Sequence, residues 1–107
     1  MRLAEIEAEV AAAFGLAVDE MASRSRKRHL VWPRQAVWWL AKRHCTVSYP
    51  FLGRRYGLHH TTVMHGVRST EERVGAMKIG QAPPEEIAAF AATVAWIDRA
   101  ASSTRGE

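Results

Sequence analysis

The sequence predicts an all-α fold of five to six helices built around a helix-turn-helix. Three observations predict it. Apolar residues recur at spacings of three and four along most of the chain. Strand-like alternation bounded by hairpin turn signals is absent. Two helical stretches, about residues 48–56 and 60–77, are separated by a turn of three to four residues containing Gly57.

The elements follow in order. A first helix is expected from about Arg2 to Phe14, with Leu3, Ile6, Val10 and Ala13 on one stripe and Gly15 as its stop. A short helix from about Val18 to Ala22 carries Asp19 and Glu20 at its positive end. Residues 23–31 read as a basic loop, and Pro33 opens a helix that runs to about His44. Val37, Leu40, Ala41 and His44 form its inward stripe. Trp38 and Trp39 are adjacent, so one is expected in the core and the other partly exposed. Ser48 is a good N-cap for the next helix, with Pro50 in its first turn and Leu52 and Tyr56 facing inward. The long helix from about His60 buries Val63, Val67, Thr70, Val74 and Met77, while Thr61, His65 and Arg68 face outward. A linker at Gly80–Pro84 precedes a last helix to about Ala101, with Ile87, Phe90, Val94 and Ile97 on one stripe. Residues 1–80 are thus expected to form the helix-turn-helix domain. Residues 81–107 add a helix that docks on it or meets a partner. Thr93 and Trp96 lie on that helix's second face.

Charge narrows the function. Residues 21–70 contain no Asp or Glu and ten Lys or Arg, while both flanks are net acidic. Fifty residues at +10 point to a polyanion partner. No apolar run approaches the roughly 20 residues of a membrane span, and acids near the N-terminus argue against a secretory signal. A cytoplasmic, nucleoid-associated protein with no membrane contact is expected. The single cysteine, Cys45, excludes an internal disulfide and a multi-cysteine zinc site. His59, His60 and His65 lack a carboxylate or thiol nearby, so they do not read as a metal cluster. No Ser/His/Asp or Cys/His arrangement suggests catalysis, and no cofactor motif is present. A non-enzymatic binding protein without cofactor is expected.

The most specific signal is an ordered set of motifs. They are Pro33-Arg34-Gln35, Leu40-Ala41-Lys42, Ser48-Tyr49-Pro50-Phe51-Leu52-Gly53, and the run His59-His60-Thr61-Thr62-Val63-Met64-His65. This succession resembles the C-terminal DNA-binding domain, domain IV, of the bacterial replication initiator DnaA. That family shows an Arg-Pro-Arg-Gln helix start, a Leu-Ala-Lys segment, a Ser-Leu-Pro-Glu-Ile-Gly first helix and an Asp-His-Thr-Thr-Val-Leu-His-Ala recognition helix. The likeness covers about residues 3–75 and implies a fold like DnaA domain IV and the Trp repressor.

The resemblance implies double-stranded DNA as partner and assigns roles residue by residue. His60 and Thr61 match the family's base-reading pair, with His59 and His65 beside them on the same helix. In the basic loop, Arg26 matches an arginine that enters the adjacent minor groove, where narrow A·T tracts favour it. Phosphate-contacting positions fall on Arg28, Arg34, Gln35, Lys42, Tyr49, Pro50, Thr62 and Arg68. The physics agrees, because a helix N-terminus favours anions and presents its first residues to base edges in the major groove.

Three departures stand out. His59 replaces the family's Asp, exchanging an acceptor-only group for one that can also donate. The turn before His59 is one residue shorter. Phe51 replaces a Glu suited to a capping box. The phosphate loop of the initiator's ATPase domain is also missing from this sequence. The expectation is therefore a stand-alone transcriptional regulator, such as an activator of phage-like or gene-transfer-agent genes, acting on a DnaA-box-like site. Two alternatives are a competitor for DnaA sites and a DNA-binding subunit working with a separate partner. RNA polymerase, a sigma-like factor or another separately encoded protein are the partners to expect, with the chain a monomer or weak homodimer.

Overall fold

The computed structural model describes residues 2–23, 25 and 27–91. Its helices are α1 (Leu3–Ala13), α2 (Val18–Met21), α3 (Val31–His44), α4 (Tyr49–Tyr56) and α5 (His60–Lys78). A 3-10 turn, Arg28–Leu30, leads into α3. Residues 84–91 are also helical, and no strand occurs among the described residues. The all-α class and the helix-turn-helix at α4–α5 are what the chain forms. No helix among the described residues is long and apolar enough to cross a membrane.

Helix α3 is the axis of the fold. Ala36, Val37, Trp38, Trp39, Leu40 and Ala41 are buried in succession, so this helix is covered nearly all round. It packs mainly on α5 and α1. The enclosure corrects the expectation of one exposed tryptophan: Trp38 is 3% and Trp39 4% exposed. Trp38 meets the edge of the Tyr56 ring at 5.6 Å. Trp39 donates its indole N–H to Glu71, and Arg43 stacks over it at 4.9 Å. Adjacent side chains diverge by about 100° on a helix, but α5 meets both tryptophans and α4 adds Tyr56 against Trp38.

The start of α3 also differs from expectation. The helix begins at Val31, two residues before Pro33, and the 3-10 turn takes up part of the expected loop. Pro33 still lies in the first turn, where its missing N–H costs nothing.

Helix α1 buries Ile6, Val10 and Ala11, while Leu3 is half-buried and Ala13 exposed. Its most unusual residue is Glu7, which is fully buried. The Glu7 carboxylate accepts from Arg55 Nε at 2.9 Å, Arg55 Nη2 at 2.5 Å and the Tyr56 hydroxyl at 2.7 Å. These bonds tie α1 to α4 and satisfy an otherwise costly buried charge.

The turn between α4 and α5 is built from glycines. Gly57 sits at φ +68° and closes α4 in the left-handed region, with the Leu58 N–H reaching the Gly53 carbonyl at 2.8 Å. Gly53 permits the close approach, since a Cβ there would lie 2.6 Å from the Leu58 oxygen.

Along α5, Val63, Thr70 and Val74 are fully buried, whereas Val67 and Met77 are half-buried. In the last segment Phe90 is fully buried against Phe14 and Trp32, at ring distances of 6.1 and 5.6 Å. Ile87 is 40% exposed, which corrects its assignment to the inward stripe. Phe90 takes the contact with the two rings, and Ile87 stays largely at the surface. Thr93, Val94, Trp96 and Ile97 lie outside the described residues.

Candidate nucleic-acid interface

The first turn of α5 holds the residues read from sequence as base-contacting. His59 is its N-cap: the Nδ1 atom accepts from the Thr61 backbone N–H at 3.2 Å and lies 2.7 Å from Thr61 Oγ1. The His59 and His60 ring centroids lie 4.3 Å apart, with the planes tilted by 35°. His60, Thr61, Thr62, His65 and Arg68 are all exposed. Spacings of four and three place Thr61, His65 and Arg68 on one helical face.

Behind that turn lies a groove of about 300 Å³. Thr62, His65 and Ser69 of α5 line it with Gln35 and Trp38 of α3 and Lys27 of the basic loop. Gly66 lets the two helices close on each other. A Cβ there would lie 2.6 Å from Trp38 Cε3 and 3.0 Å from Gln35 Cγ. The packing of α3 on α5 therefore joins residues that are some thirty positions apart in sequence.

Arg34 has a structural part besides the contact expected of it. It is 6% exposed. Its guanidinium donates to the carbonyls of Met21 at 2.8 Å and Ser25 at 2.7 Å, and to that of Ser23. Burial holds its pKa below the ordinary arginine value, opposed by the nearby Tyr56. Arg34 thereby fastens the basic loop to α3, and it also lines the groove beside Lys27 and Gln35. The orphan carbonyls after α2 need donors, and a planar five-donor fork supplies several at once. Arg28 does not line this groove. It is exposed, but it lies beside Phe14, Trp32 and Ala89 in a separate depression. The 3-10 turn rotates successive side chains by about 120°, and Lys27 lines the α5 groove instead. Arg26 lies outside the described residues.

Gln35 lines the groove and accepts from Arg73 Nη1 at 2.6 Å, which leaves its amide NH₂ as the remaining donor. Lys42 donates to the Val47 carbonyl at 2.8 Å and lies 4.4 Å over the Tyr49 ring. Those contacts gather Lys42 and Tyr49 at the start of α4, next to exposed Pro50. Ser48 caps that start by accepting the Phe51 N–H at 3.1 Å. A second concavity there is lined by Lys42, Ser48 and Phe51. The interface thus has three positively charged or donor-bearing margins: the loop at Lys27, the α4 start at Lys42, and the outer face of α5 at Arg68.

Comparison with known proteins decides the family. Residues 3–69 match the bacterial DnaA protein helix-turn-helix. The chain belongs to this family. It is 42% identical over 77 residues to the chromosomal replication initiator protein DnaA of Brucella abortus, covering 71% of this chain and 16% of that protein. The DnaA of Agrobacterium fabrum is 39% identical over 82 residues, covering 75% of this chain and 17% of that protein. The DnaA of Caulobacter vibrioides is 43% identical over 68 residues, or 63% and 14%. The match therefore spans about a sixth of the length of these relatives. Membership makes α4–α5 a DNA-binding helix-turn-helix, and the matched span ends within α5, before the segment that carries Phe90.

Sequence reasoning passed over several residues that build this site. Lys27 is one of ten cations in the acid-free segment, and nothing in the sequence distinguishes it from its neighbours. The role of Gly66 had no sequence signal beyond a glycine inside a helical pattern, which marks a close approach. The Glu7–Arg55–Tyr56 cluster had none, because its partners are 48 and 49 residues apart.

Proposed function

We propose that this DnaA-type domain reads double-stranded DNA sequence-specifically, with the N-terminal turn of α5 in the major groove. The observation that carries the reading is the exposed row of His60, Thr61 and His65 on a family helix-turn-helix, inside a fifty-residue segment without acids. Thr61 offers a hydroxyl and a methyl to a base edge, and His60 and His65 offer ring nitrogens. Lys42, Tyr49, Thr62, Arg68 and the Gln35 amide are assigned to the backbone. Lys27 joins them. Arg34 acts indirectly, by holding the loop that carries Lys27.

The domain works by binding and not by catalysis, without a cofactor, in the cytoplasm on the nucleoid. Its output is transcription regulation, as a monomer or weak homodimer that contacts RNA polymerase or another protein. A second reading, occupancy of initiator sites that affects replication, has its own support: the relatives are chromosomal replication initiator proteins. Genome-wide immunoprecipitation with sequencing separates the two. Sites at promoters support regulation, sites clustered at the origin support the second reading, and uniform coverage without a motif defeats both.

A further inference from the structure

At the start of α5 one imidazole nitrogen meets two polar groups of Thr61. His59 Nδ1 accepts the Thr61 backbone N–H at 3.2 Å, and the Thr61 hydroxyl oxygen lies 2.7 Å from the same nitrogen. A neutral imidazole has one N–H and one lone-pair nitrogen. The nitrogen that caps a helix N–H carries no hydrogen of its own. Two consequences follow. The Thr61 hydroxyl must be the donor in the 2.7 Å contact. The ring hydrogen must sit on Nε2, away from the cap.

We infer that His59 sets the hydrogen-bond polarity of the reading head and is itself a specificity-determining residue. With its hydrogen turned inward, Thr61 presents only lone pairs and a methyl group outward. Its oxygen then selects a base edge that donates, the adenine N6 or cytosine N4 amine. His59 presents the opposite polarity, an Nε2–H that selects an acceptor such as guanine O6 or N7, adenine N7 or thymine O4. Both side chains are exposed, and the His60 ring lies 4.3 Å from the imidazole at a 35° tilt. An aspartate at position 59 would accept in the same two places but has no N–H to offer. An asparagine would reproduce both halves, an oxygen for the cap and an NH₂ outward.

The inference rests on the DNA-reading assignment above, and two measurements test it. The first needs no DNA. Long-range proton–nitrogen correlation spectra of the free protein at mildly alkaline pH report the His59 tautomer. Hydrogen on Nε2 is expected, and hydrogen on Nδ1 overturns the inference. The second is selection from a randomised duplex library with the wild type, His59→Asn, His59→Asp and Thr61→Val. His59→Asn should keep the wild-type motif. His59→Asp should keep the amine-bearing base opposite Thr61 and lose discrimination by about tenfold at the position facing residue 59. Thr61→Val should lose discrimination at its own base while melting like the wild type. Motifs that do not differ between His59→Asp and the wild type overturn this inference alone. A wild-type selection that enriches no motif overturns the DNA-reading assignment, and this inference with it.

Discussion

Arg34 donates from Nε to the Met21 carbonyl at 2.8 Å while only 6% exposed, so a residue expected to contact phosphate also fastens the loop beside the groove it lines. Replacing it should release the carbonyls of Met21, Ser23 and Ser25, one buried and two part-buried, and leave them unpaired. We expect Arg34→Gln to destabilise the domain by about 2 kcal/mol, read by urea melting. The salt dependence of DNA affinity should keep its slope. A stable variant whose slope falls by about one would instead restore Arg34 to the phosphate contacts.

Gly66 and Trp38 set the distance between α3 and α5. In Gly66→Ala the new methyl meets Trp38 Cε3 at 2.6 Å and Cζ3 at 2.7 Å, and neither helix can yield freely. The cost should be about 1–3 kcal/mol in thermal or urea unfolding. DNA affinity should fall with it, because the same packing forms the groove between Gln35 and Thr62. A variant as stable as the wild type would show that α3 and α5 pack less closely than the structure has them.

Glu7 is a buried charge with three polar contacts from α4. Removing it in Glu7→Ala strands the Tyr56 hydroxyl and the Arg55 guanidinium. We expect a loss of about 3 kcal/mol, at the low end for a broken buried pair because the Arg55 side chain is 40% exposed. The double variant Glu7→Leu with Arg55→Leu should recover much of this loss. Failure to recover would mean that the Tyr56 bond carries most of the energy.

Binding should be strongly salt-dependent. With about six neutralised phosphates, log affinity against log salt should fall with a slope near −5. Lys27→Ala, Lys42→Ala and Arg68→Ala should each reduce that slope by about one and weaken all duplexes alike, whereas Thr61→Ala should cost about 1–3 kcal/mol only on the cognate site. Equal losses on cognate and random DNA for Thr61→Ala would remove it from the base-reading set.

Stability should fall on mild acidification through His44. Burial first, and then the Arg43 charge, push its imidazole below the ordinary value of 6.5. A group with a depressed folded pKa contributes stability that is present above its unfolded pKa and lost as pH falls through the folded one. Melting temperature should therefore hold at neutral pH and decline from about pH 6.5 downward. His44→Gln should flatten that decline. An unchanged pH profile in the variant would remove His44 as the cause.

Much was legible in the chain because the relevant physics is local. Helix α4 was readable from Ser48, Pro50 and Gly57, since a cap, a first-turn proline and a left-handed glycine act within a few residues. Helix α5 was readable from the spacing of Val63, Thr70 and Val74, and its outward face from Thr61, His65 and Arg68. The limits of α3 were less legible. Pro33 marks the first turn of a helix but not how many residues precede it, and the 3-10 turn at Arg28–Leu30 depends on burying Leu30 in the folded core.

By itself, the sequence determined the all-α class, the helix-turn-helix, the family and the acid-free basic segment, because periodicity, caps and charge are written along the chain. Only the tertiary structure decided what individual side chains do. It set Arg34 onto three carbonyls, buried both Trp38 and Trp39, placed Lys27 at the α5 groove and Arg28 in a separate depression, and spent His59 Nδ1 on capping Thr61. A long polar side chain settles where its donors find unpaired acceptors, and those acceptors come from elements that meet only on folding.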